Sequence, residues 1–363
     1  MENCEFVRLG DIVNIKTGKL DANASSPNGK YPFFTCAKEP LRINSYSYDC
    51  ECVLVAGNGD LNVKYFHGKF DAYQRTYIIE SKNDNLYMPY LYYFLDNYVE
   101  ILRKKSIGGI IKYIKLNNLT DIKFPLPKKQ KQIEISNILS KSKDTINNLQ
   151  TRIQKYDELV KSQFIEMFGD ISLSPQLDNW RELADIGEIV GGSTPKTDNK
   201  EFWNGNLNWF TPAEISENDF YVFESERKIT DKGAQSCSLK KMPINTVILS
   251  SRAPIGKVAI AGEEFYCNQG FKNIICGEQI NHIYLYTLLK NNNDYLNSLG
   301  RGATFKEISK SIVSKIRIPV PTIDRQNQFA DFVKHIDKLK FTLKQTLEKL
   351  ENCYHSLMQE YFE

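Results

Sequence analysis

The amino-acid sequence predicts an α+β protein in which two mixed α/β domains are separated by an antiparallel coiled coil of two long helices, with pseudo-twofold symmetry. The segment at 123–139 recurs 194 residues later at 317–333, and a long amphipathic stripe follows each copy. Solenoid repeats are only roughly 20–50 residues long, so a duplicated domain-plus-helix unit is the better interpretation. Such a duplication indicates two similar surfaces and therefore a partner with two sites.

Length and composition fit two globular domains. The chain has 363 residues, of which 41% are hydrophobic and 25% charged, which is sufficient for two cores. No apolar run reaches the roughly 18 residues of a membrane span, and no secretory signal pattern opens the chain. We expect no membrane association and a cytoplasmic location. The eight cysteines and four histidines show no disulfide or zinc spacing, so we expect free thiols and no metal site.

Each domain shows two strand-like runs followed by a helical segment. The offset between the copies grows from 174 residues at Leu9 and Leu183 to 194 at the repeat, so the second domain is longer. We assign the extra residues to a loop insertion near 202–209. In the first domain the strand-like runs are 52–56 and 77–79, and the helical segment is 88–103. In the second domain the strand-like runs are 246–250 and 273–275, and the helical segment is 280–299.

A long helix is predicted after each Pro-x-Pro segment, at 125–127 and 319–321. Pro127 can begin the first helix because its missing N–H would be unpaired there, and Gly169 can end it. Apolar residues then alternate at three- and four-residue spacing, which is typical of a coiled-coil seam. The seam residues are Ile135, Leu139, Ile146, Leu149, Ile153 and Val160 in the first copy, and Phe329, Ile336, Leu343, Leu347, Leu350 and Leu357 in the second.

Each long helix is expected to pair with the other. A helix of about 40 residues is roughly 60 Å long, and its apolar stripe needs a partner. Because the first helix leads to the second domain and the second helix starts there, the pair runs antiparallel. The predicted boundaries are 1–127 for the first domain, 128–168 for the first helical spacer, 169–178 for a linker, 179–321 for the second domain and 322–363 for the second helical spacer.

Positive charge is concentrated beside both Pro-x-Pro segments. The stretch 103–131 contains nine Lys or Arg residues and one acid, and 297–325 contains six and two, although the net charge of the chain is only +3. Both stretches include a glycine–lysine segment, at 108–112 and 302–306, where backbone N–H groups and an ammonium group can approach a phosphate. A solvated surface with tight turns is the alternative, but recurrence in both copies favours contact with a polyanion.

Loops that follow equivalent strands differ in their side chains. The loop of the second domain presents Arg252, whose planar guanidinium group can donate two hydrogen bonds to guanine or to a phosphate. The equivalent loop of the first domain carries Asn58. Gln74 and Gln269 are also equivalent. Asn and Gln can pair with adenine, although either glutamine could instead satisfy buried backbone groups. Matching flanks with different loops are expected of two readers of different sequences.

Several short motifs together identify a family. They are GSTP at 192–195, SRAPIG at 251–256, GATFKEIS at 302–309, PVP at 319–321 with Arg325-Gln326, and FGD at 168–170 followed by Trp180. With them the chain resembles, over its whole length, the DNA-specificity (S) subunit of type I restriction–modification systems. The first domain departs from that pattern, with Asn58-Gly59-Asp60 in place of Arg-Ala-Pro and Gly109-Ile110-Ile111 in place of Ala-Thr-Phe.

The resemblance implies a non-catalytic subunit whose two target-recognition domains each read one half of a split double-stranded DNA sequence, while the helices set the gap. It implies two methyltransferase (M) subunits and restriction/translocase (R) subunits as partners. The M subunits would methylate an adenine in each half with S-adenosylmethionine, so this chain is expected to bind no cofactor itself.

No phosphate-binding loop, adenine-methylation motif or nucleophile elbow stands out, so we expect no catalytic residues. A coiled-coil interaction scaffold without a DNA role is the alternative function, and an enzyme with an unrecognised chemistry is a third hypothesis. The candidate DNA contacts are Asn58, Lys64, Gln74, Arg75 and Lys112 in the first half, and Thr194, Lys196, Arg252, Lys257, Gln269, Arg301 and Lys306 in the second.

Overall fold

The structure, a computed structural model, describes residues 5–173, 180–216, 219–252, 254–302 and 306–362. They belong to two compact units. Unit 1 consists of Met1–Thr151 and Lys344–Glu363, and unit 2 consists of Arg152–Leu343. Some residues of the predicted motifs, half of the predicted linker and the first residue of the predicted second domain lie outside the described residues, namely Ala253, Ala303, Thr304, Phe305 and 174–179.

Unit 1 is a mixed α/β structure to which both long helices contribute one end. Its elements are β1 (Glu5–Arg8), α1 (Leu9–Ile12), β2 (Val13–Thr17), β3 (Tyr31–Phe34), β4 (Leu41–Ile43), β5 (Tyr48–Ala56), β6 (Val63–Ala72), β7 (Thr76–Ser81), α2 (Met88–Lys105), α3 (Leu116–Thr120), β8 (Lys123–Leu126) and the first part of α4 (Lys129–Phe168).

The described strands of unit 1 form a sheet in the order β2-β7-β5-β6-β3-β4, and a second pair, β1 with β8. The central strand β5 is covered on both faces. Val53 and Val55 pack in the cluster that contains α2, whereas Cys52 and Leu54 pack against Phe70 and its neighbours on the opposite face. This alternation follows from the two-residue period of a strand, and it fixes the loop that leaves β5.

Unit 2 repeats this plan with additional elements. They are β9 (Arg181–Glu182), α5 (Leu183–Ile186), β10 (Gly187–Gly191), β11 (Trp203–Phe210), β12 (Tyr221–Val222), β13 (Lys228–Ile229), α6 (Asp231–Ser236), β14 (Val247–Ser251), β15 (Ile255–Ala261), β16 (Tyr266–Cys267), β17 (Lys272–Cys276), α7 (His282–Asn291), α8 (Asn293–Ser298), α9 (Lys310–Ser314), β18 (Arg317–Ile318) and α10 (Ile323–Phe362), whose last part belongs to unit 1.

The sheet order β10-β17-β14-β15-β12 of unit 2 begins like that of unit 1. Its central strand β14 also alternates between two cores, since Val247 and Leu249 pack on one face and Ile248 on the other. The strand-like runs predicted in both domains correspond to β5, β7, β14 and β17, except that Thr246 precedes β14.

The segment 280–299 is helical as predicted, but it forms two helices, α7 and α8, which meet at Asn292. The buried Asn292 side chain donates to the carbonyl oxygen of Ile171 at 3.0 Å and accepts from the backbone N–H of Leu173 at 2.8 Å. Asn292 thereby ties the chain that leaves α4 to the core of unit 2.

The loop insertion predicted near 202–209 is wrong, since Trp203–Phe210 is strand β11. It joins β13 and β16 in a small sheet of its own. Trp203 and Trp209 pack edge to face, with ring centroids 5.0 Å apart, in a core that includes Ile229. Aromatic side chains of this size bury a large apolar area, which helps to hold this small sheet together.

The two long helices run antiparallel within each unit. In unit 2, Lys340 pairs with Asp157 and Arg325 donates to the carbonyl oxygen of Met167, so rising numbers on α4 meet falling numbers on α10. In unit 1, Gln150 Nε2 donates to Glu351 Oε1 at 3.2 Å. Gly169, with φ of +87°, adopts the left-handed conformation that ends α4.

The seam positions face inward along both helices. All twelve are buried or half-buried, and burial is deepest where a helix leaves its domain, as at Leu139 and Phe329. There the seam is covered by domain side chains as well as by the other helix. Polar side chains between the seams, such as Lys141 and Lys338, are exposed.

A buried glutamine at the start of each long helix ties that helix to its own domain. Gln132 accepts from the backbone N–H of Tyr87 at 2.8 Å, and its Nε2 donates to the carbonyl oxygens of Asn85 and Pro127 at 2.9 and 2.8 Å. Gln132 is fully buried, so each of these bonds satisfies a polar group that is shielded from water.

The same three bonds recur in unit 2 at an offset of 194 residues. Gln326, also fully buried, accepts from Asn281 N–H at 2.8 Å and donates to the carbonyl oxygens of Gln279 and Pro321 at 3.1 and 2.8 Å. Each glutamine thus joins three segments of one unit: the start of the long helix, the Pro-x-Pro segment and the start of the main domain helix.

None of the described helices combines the length and the apolar character that crossing a membrane requires. In the described ranges, no three or more His, Cys, Asp or Glu side chains are grouped so that they could hold a metal ion.

We predict that replacing Gln326 with leucine lowers the free energy of unfolding by about 1–3 kcal/mol, because it leaves buried backbone groups without partners. Urea unfolding followed by circular dichroism measures this loss. Gln328→Leu, an exposed glutamine two residues further along the same helix, is the matched control and should change stability by less than about 0.5 kcal/mol. Equal effects of the two substitutions would contradict the role of Gln326.

Candidate nucleic-acid interface

In unit 2 the loop after β14 is held by backbone hydrogen bonds. Ser251 N–H donates to Gly270 at 2.8 Å, and Ile308 N–H donates to Ser251 at 2.9 Å. These bonds place Arg252 opposite Glu307 in an isolated antiparallel bridge. The buried central strand therefore ends in a loop whose first residue has a fixed position beside the basic stretch.

A carboxylate organises two cations at this loop. Glu307 Oε2 lies 3.8 Å from Arg252 Nη1, and Glu307 Oε1 lies 3.4 Å from Lys272 Nζ. Lys272 also donates to Ser251 Oγ at 3.1 Å, and only 12% of its side chain is exposed. Since a guanidinium has five N–H donors in a fixed fork, Arg252 can hold this contact and still present donors to a ligand.

Four other predicted residues of unit 2 lie around Arg252 with different exposures. Thr194 Oγ1 donates to Gln269 Oε1 at 2.7 Å, which orients the exposed Gln269 side chain. Arg301 and Glu307 exchange two backbone hydrogen bonds of 3.1 and 3.0 Å. Gly302, which follows Arg301, has a φ of +123°, and Lys306, which precedes Glu307, is exposed.

The remaining two predicted residues of unit 2 have other surroundings. Lys257 is half-buried, and its Nζ donates to the carbonyl oxygen of Pro212 at 3.1 Å. The side chain of Lys196 is exposed, while its backbone carbonyl accepts from Trp203 Nε1 at 3.1 Å. Of these two, only Lys196 has an ammonium group that is open to a phosphate.

Unit 1 contains the equivalent loop after β5. Gly57 N–H donates to the carbonyl of Arg75 at 2.8 Å, Ile114 N–H donates to Gly57 at 2.9 Å, and Gly59 N–H donates to Lys112 at 2.9 Å. Asn58 bridges to Tyr113 as Arg252 does to Glu307. Three predicted contacts are thus brought to one place through their backbones, and the side chains of Arg75 and Lys112 are exposed.

The side chains of the unit 1 loop differ from those of unit 2. Asn58 Oδ1 accepts from Cys36 Sγ at 2.8 Å, which leaves its amide group to donate elsewhere. Gln74 is exposed next to this loop. Lys64 is half-buried against Asn62, and burial lowers the pKa of its ammonium group. A lysine held in this way is a weaker candidate for phosphate contact than Lys112.

Both loops are therefore built on one backbone framework with different chemistry. The bridge between Asn58 and Tyr113 recurs 194 residues later between Arg252 and Glu307, and the bridge between Ile107 and Tyr113 recurs between Arg301 and Glu307. Two residues that matter for this site, Glu307 and Lys272, were not among the predicted contacts. Glu307 could have been found as an isolated acid in a basic stretch that follows the repeat offset, but its ion pairs depend on distant segments.

The model of the type I restriction modification DNA specificity domain matches residues 1–156 and again residues 178–352. The chain belongs to this family. The match covers both halves and confirms the resemblance that the motifs indicate.

Curated relatives of this family support the assignment. The chain is 38% identical over 209 residues to the type I restriction enzyme MjaIX specificity subunit of Methanocaldococcus jannaschii, a match that covers 56% of this chain and 48% of that protein. It therefore spans about half the length of this relative. It is 25% identical over 375 residues to the EcoDI specificity subunit of Escherichia coli, which covers 95% of this chain and 83% of that protein.

A solved structure has the same fold. The S subunit of a type I restriction–modification system from M. genitalium superposes with a TM-score of 0.68 at 16% identity, and the match covers 99% of this chain and 96% of that one. At this level of identity the likeness concerns the fold. The mixed α/β units with two long helices are thus the architecture of a specificity subunit.

For a specificity protein of this family, we predict that Arg252→Ala degrades recognition of one half of the target. A bidentate contact contributes about 1–3 kcal/mol of discrimination between bases, so one or two positions of that half should become degenerate. Base-resolution adenine-methylation mapping, with the chain co-expressed with its methyltransferase, measures this change.

The control is Arg317→Ala, because Arg317 lies on the separate β9–β18 pair, where its side chain forms a long ion pair of 4.0 Å with Glu182. It should leave both halves intact. An unaltered methylated sequence in the Arg252→Ala variant would remove Arg252 from the reading surface.

Proposed function

We propose that this chain is the sequence-specific DNA-recognition subunit of a type I restriction–modification complex, and that each unit reads one half of a bipartite target. The observation that carries the proposal is the repeated loop framework with different side chains. Asn58 and Arg252 occupy the same bridge position 194 residues apart. One backbone geometry with two sets of base-reading groups suits a target whose halves differ.

Affinity in this proposal comes mainly from phosphate contacts. Exposed cations lie beside each loop, such as Lys112 in unit 1 and Lys306 in unit 2. Binding that neutralises phosphates releases counterions, so affinity should fall steeply as salt rises. These contacts position the protein but do not identify a base.

Specificity in this proposal comes from side chains that reach base edges. An arginine can donate two hydrogen bonds to guanine O6 and N7, and an asparagine or glutamine can pair with adenine N6 and N7. Arg252 is held by Glu307 at 3.8 Å and Asn58 by Cys36 at 2.8 Å. Because each group is held before binding, less conformational freedom is lost when DNA is bound.

We further propose that two methyltransferase subunits and restriction/translocase subunits bind this chain, and that the complex acts in the cytoplasm. S-adenosylmethionine would be bound by the methyltransferase subunits and not by this chain. The chain would contribute recognition and assembly, and it would carry no catalytic residue. Its relatives are named specificity subunits, which supports this division of roles.

The test is adenine-methylation mapping of DNA from cells that express this chain with its cognate methyltransferase. We expect one split sequence with a fixed gap and one methylated adenine in each half. The methyltransferase expressed alone is the control and should give no such sequence. Absence of a split sequence from the co-expressing cells would contradict the proposal and would favour an interaction scaffold without a DNA role.

A further inference from the structure

The hairpin at 107–113 of unit 1 exposes an unusual group of apolar side chains. Ile110 is 104% exposed, Ile111 is 62% exposed and Ile107 is 43% exposed. Single exposed apolar residues are ordinary, but adjacent ones at the tip of a loop indicate a surface that another molecule covers. The isoleucines stand where the family motif has Ala-Thr-Phe.

The hairpin is held in place by backbone bonds. Ile107 and Tyr113 exchange two hydrogen bonds of 3.0 and 2.9 Å, and the carbonyl of Lys112 accepts from Gly59 at 2.9 Å. Gly108 has a φ of +116°, and a Cβ atom there would lie 2.5 Å from the carbonyl oxygen of Ile111. Only glycine fits this turn, so the sequence is built to present the tip beside the loop of Asn58.

The surroundings of the tip favour a polyanion as the molecule that covers it. Lys104 and Lys105 precede the hairpin, and Lys112 and Lys115 lie at its end or just after it, and all four side chains are exposed. The sequence from 101 to 120 contains no acidic residue. An apolar groove of another protein could also take two isoleucines, but four lysines around them complement DNA phosphates better than a protein surface of mixed charge.

We propose that Ile110 and Ile111 form an apolar wedge that inserts at one base step of the half-site read by unit 1 and partly unstacks it. Apolar side chains such as isoleucine, leucine and phenylalanine are known to insert between base steps in this way. The proposal rests on the proposed function and adds to it a deformation of the target. Flexible pyrimidine–purine steps would be preferred at the wedge, because they cost least to unstack.

The test uses the complex of this chain with its methyltransferase, bound to a duplex that carries the mapped target. The double variant Ile110→Ser/Ile111→Ser should bind about tenfold more weakly, a change typical of one lost contact. The slope of log K against log salt should be unchanged, because no charge is removed. Lys112→Ala should instead reduce that slope by about one.

A nick placed at successive steps of the half-site locates the wedge. A nick keeps every base but makes one step easier to open, so a nick at the wedge step should tighten binding of the parent complex and not of the double serine variant. Ile110→Leu should retain the parent behaviour. Phe6→Ser is the matched control, since Phe6 is 58% exposed on the separate β1–β8 pair, and it should bind as the parent does.

Three results would be decisive against the wedge. They are unchanged affinity of the double serine variant, a nick response that the double serine variant shares with the parent, and normal DNA binding accompanied by loss of the methyltransferase on co-purification. The last result would assign the tip to a protein contact. A parent complex without any split target would instead be a failure of the proposed function, and methylation mapping detects it before any variant is made.

Discussion

The side-chain amide of one buried glutamine in each unit is the constraint on which the arrangement of that unit depends. Gln132 and Gln326 each join the start of a long helix to the Pro-x-Pro segment and to the start of the main domain helix. A long helix that was free to swivel at this point could not hold its domain in a defined orientation. Because the amide is buried and makes three hydrogen bonds, rotation of the helix would break these bonds and leave buried polar groups without partners. The helix and the domain therefore behave as one body within each unit.

Duplication explains why the framework is shared while the reading groups differ. Backbone bonds around the loops after β5 and β14 recur at the same offset, and they depend on strand positions that both cores fix from two faces. Neither Asn58 nor Arg252 belongs to a core cluster, although Leu61 of the first loop does. The side chains at these two positions could therefore differ without a change in either core. Separating a shared scaffold from loops of different chemistry in this way allows one fold to carry more than one binding surface.

Much of the fold could be predicted because its strongest signals are local. The heptad stripes, the Pro-x-Pro segments and Gly169 lie within short windows of sequence, and the helices that they indicate are present as α4 and α10. The repeat also brought Arg252 and Asn58 to equivalent positions. Where the sequence failed, a distant contact decided the outcome. Asn292 interrupts a helical pattern because it binds backbone about 120 residues away, at Ile171 and Leu173. The ion pairs of Glu307 and the burial of Lys257 likewise depend on segments that no local pattern connects.

Site-directed photo-crosslinking tests the central claim, that each unit reads its own half of one DNA target, most directly. Lys112 and Lys306 are equivalent exposed positions 194 residues apart, and a photoreactive amino acid can replace either in the complex with the methyltransferase. Sequencing of the crosslinked bases should place position 112 on one half of the split target and position 306 on the other. Crosslinks from both positions to the same half, or to neither half, would contradict the account.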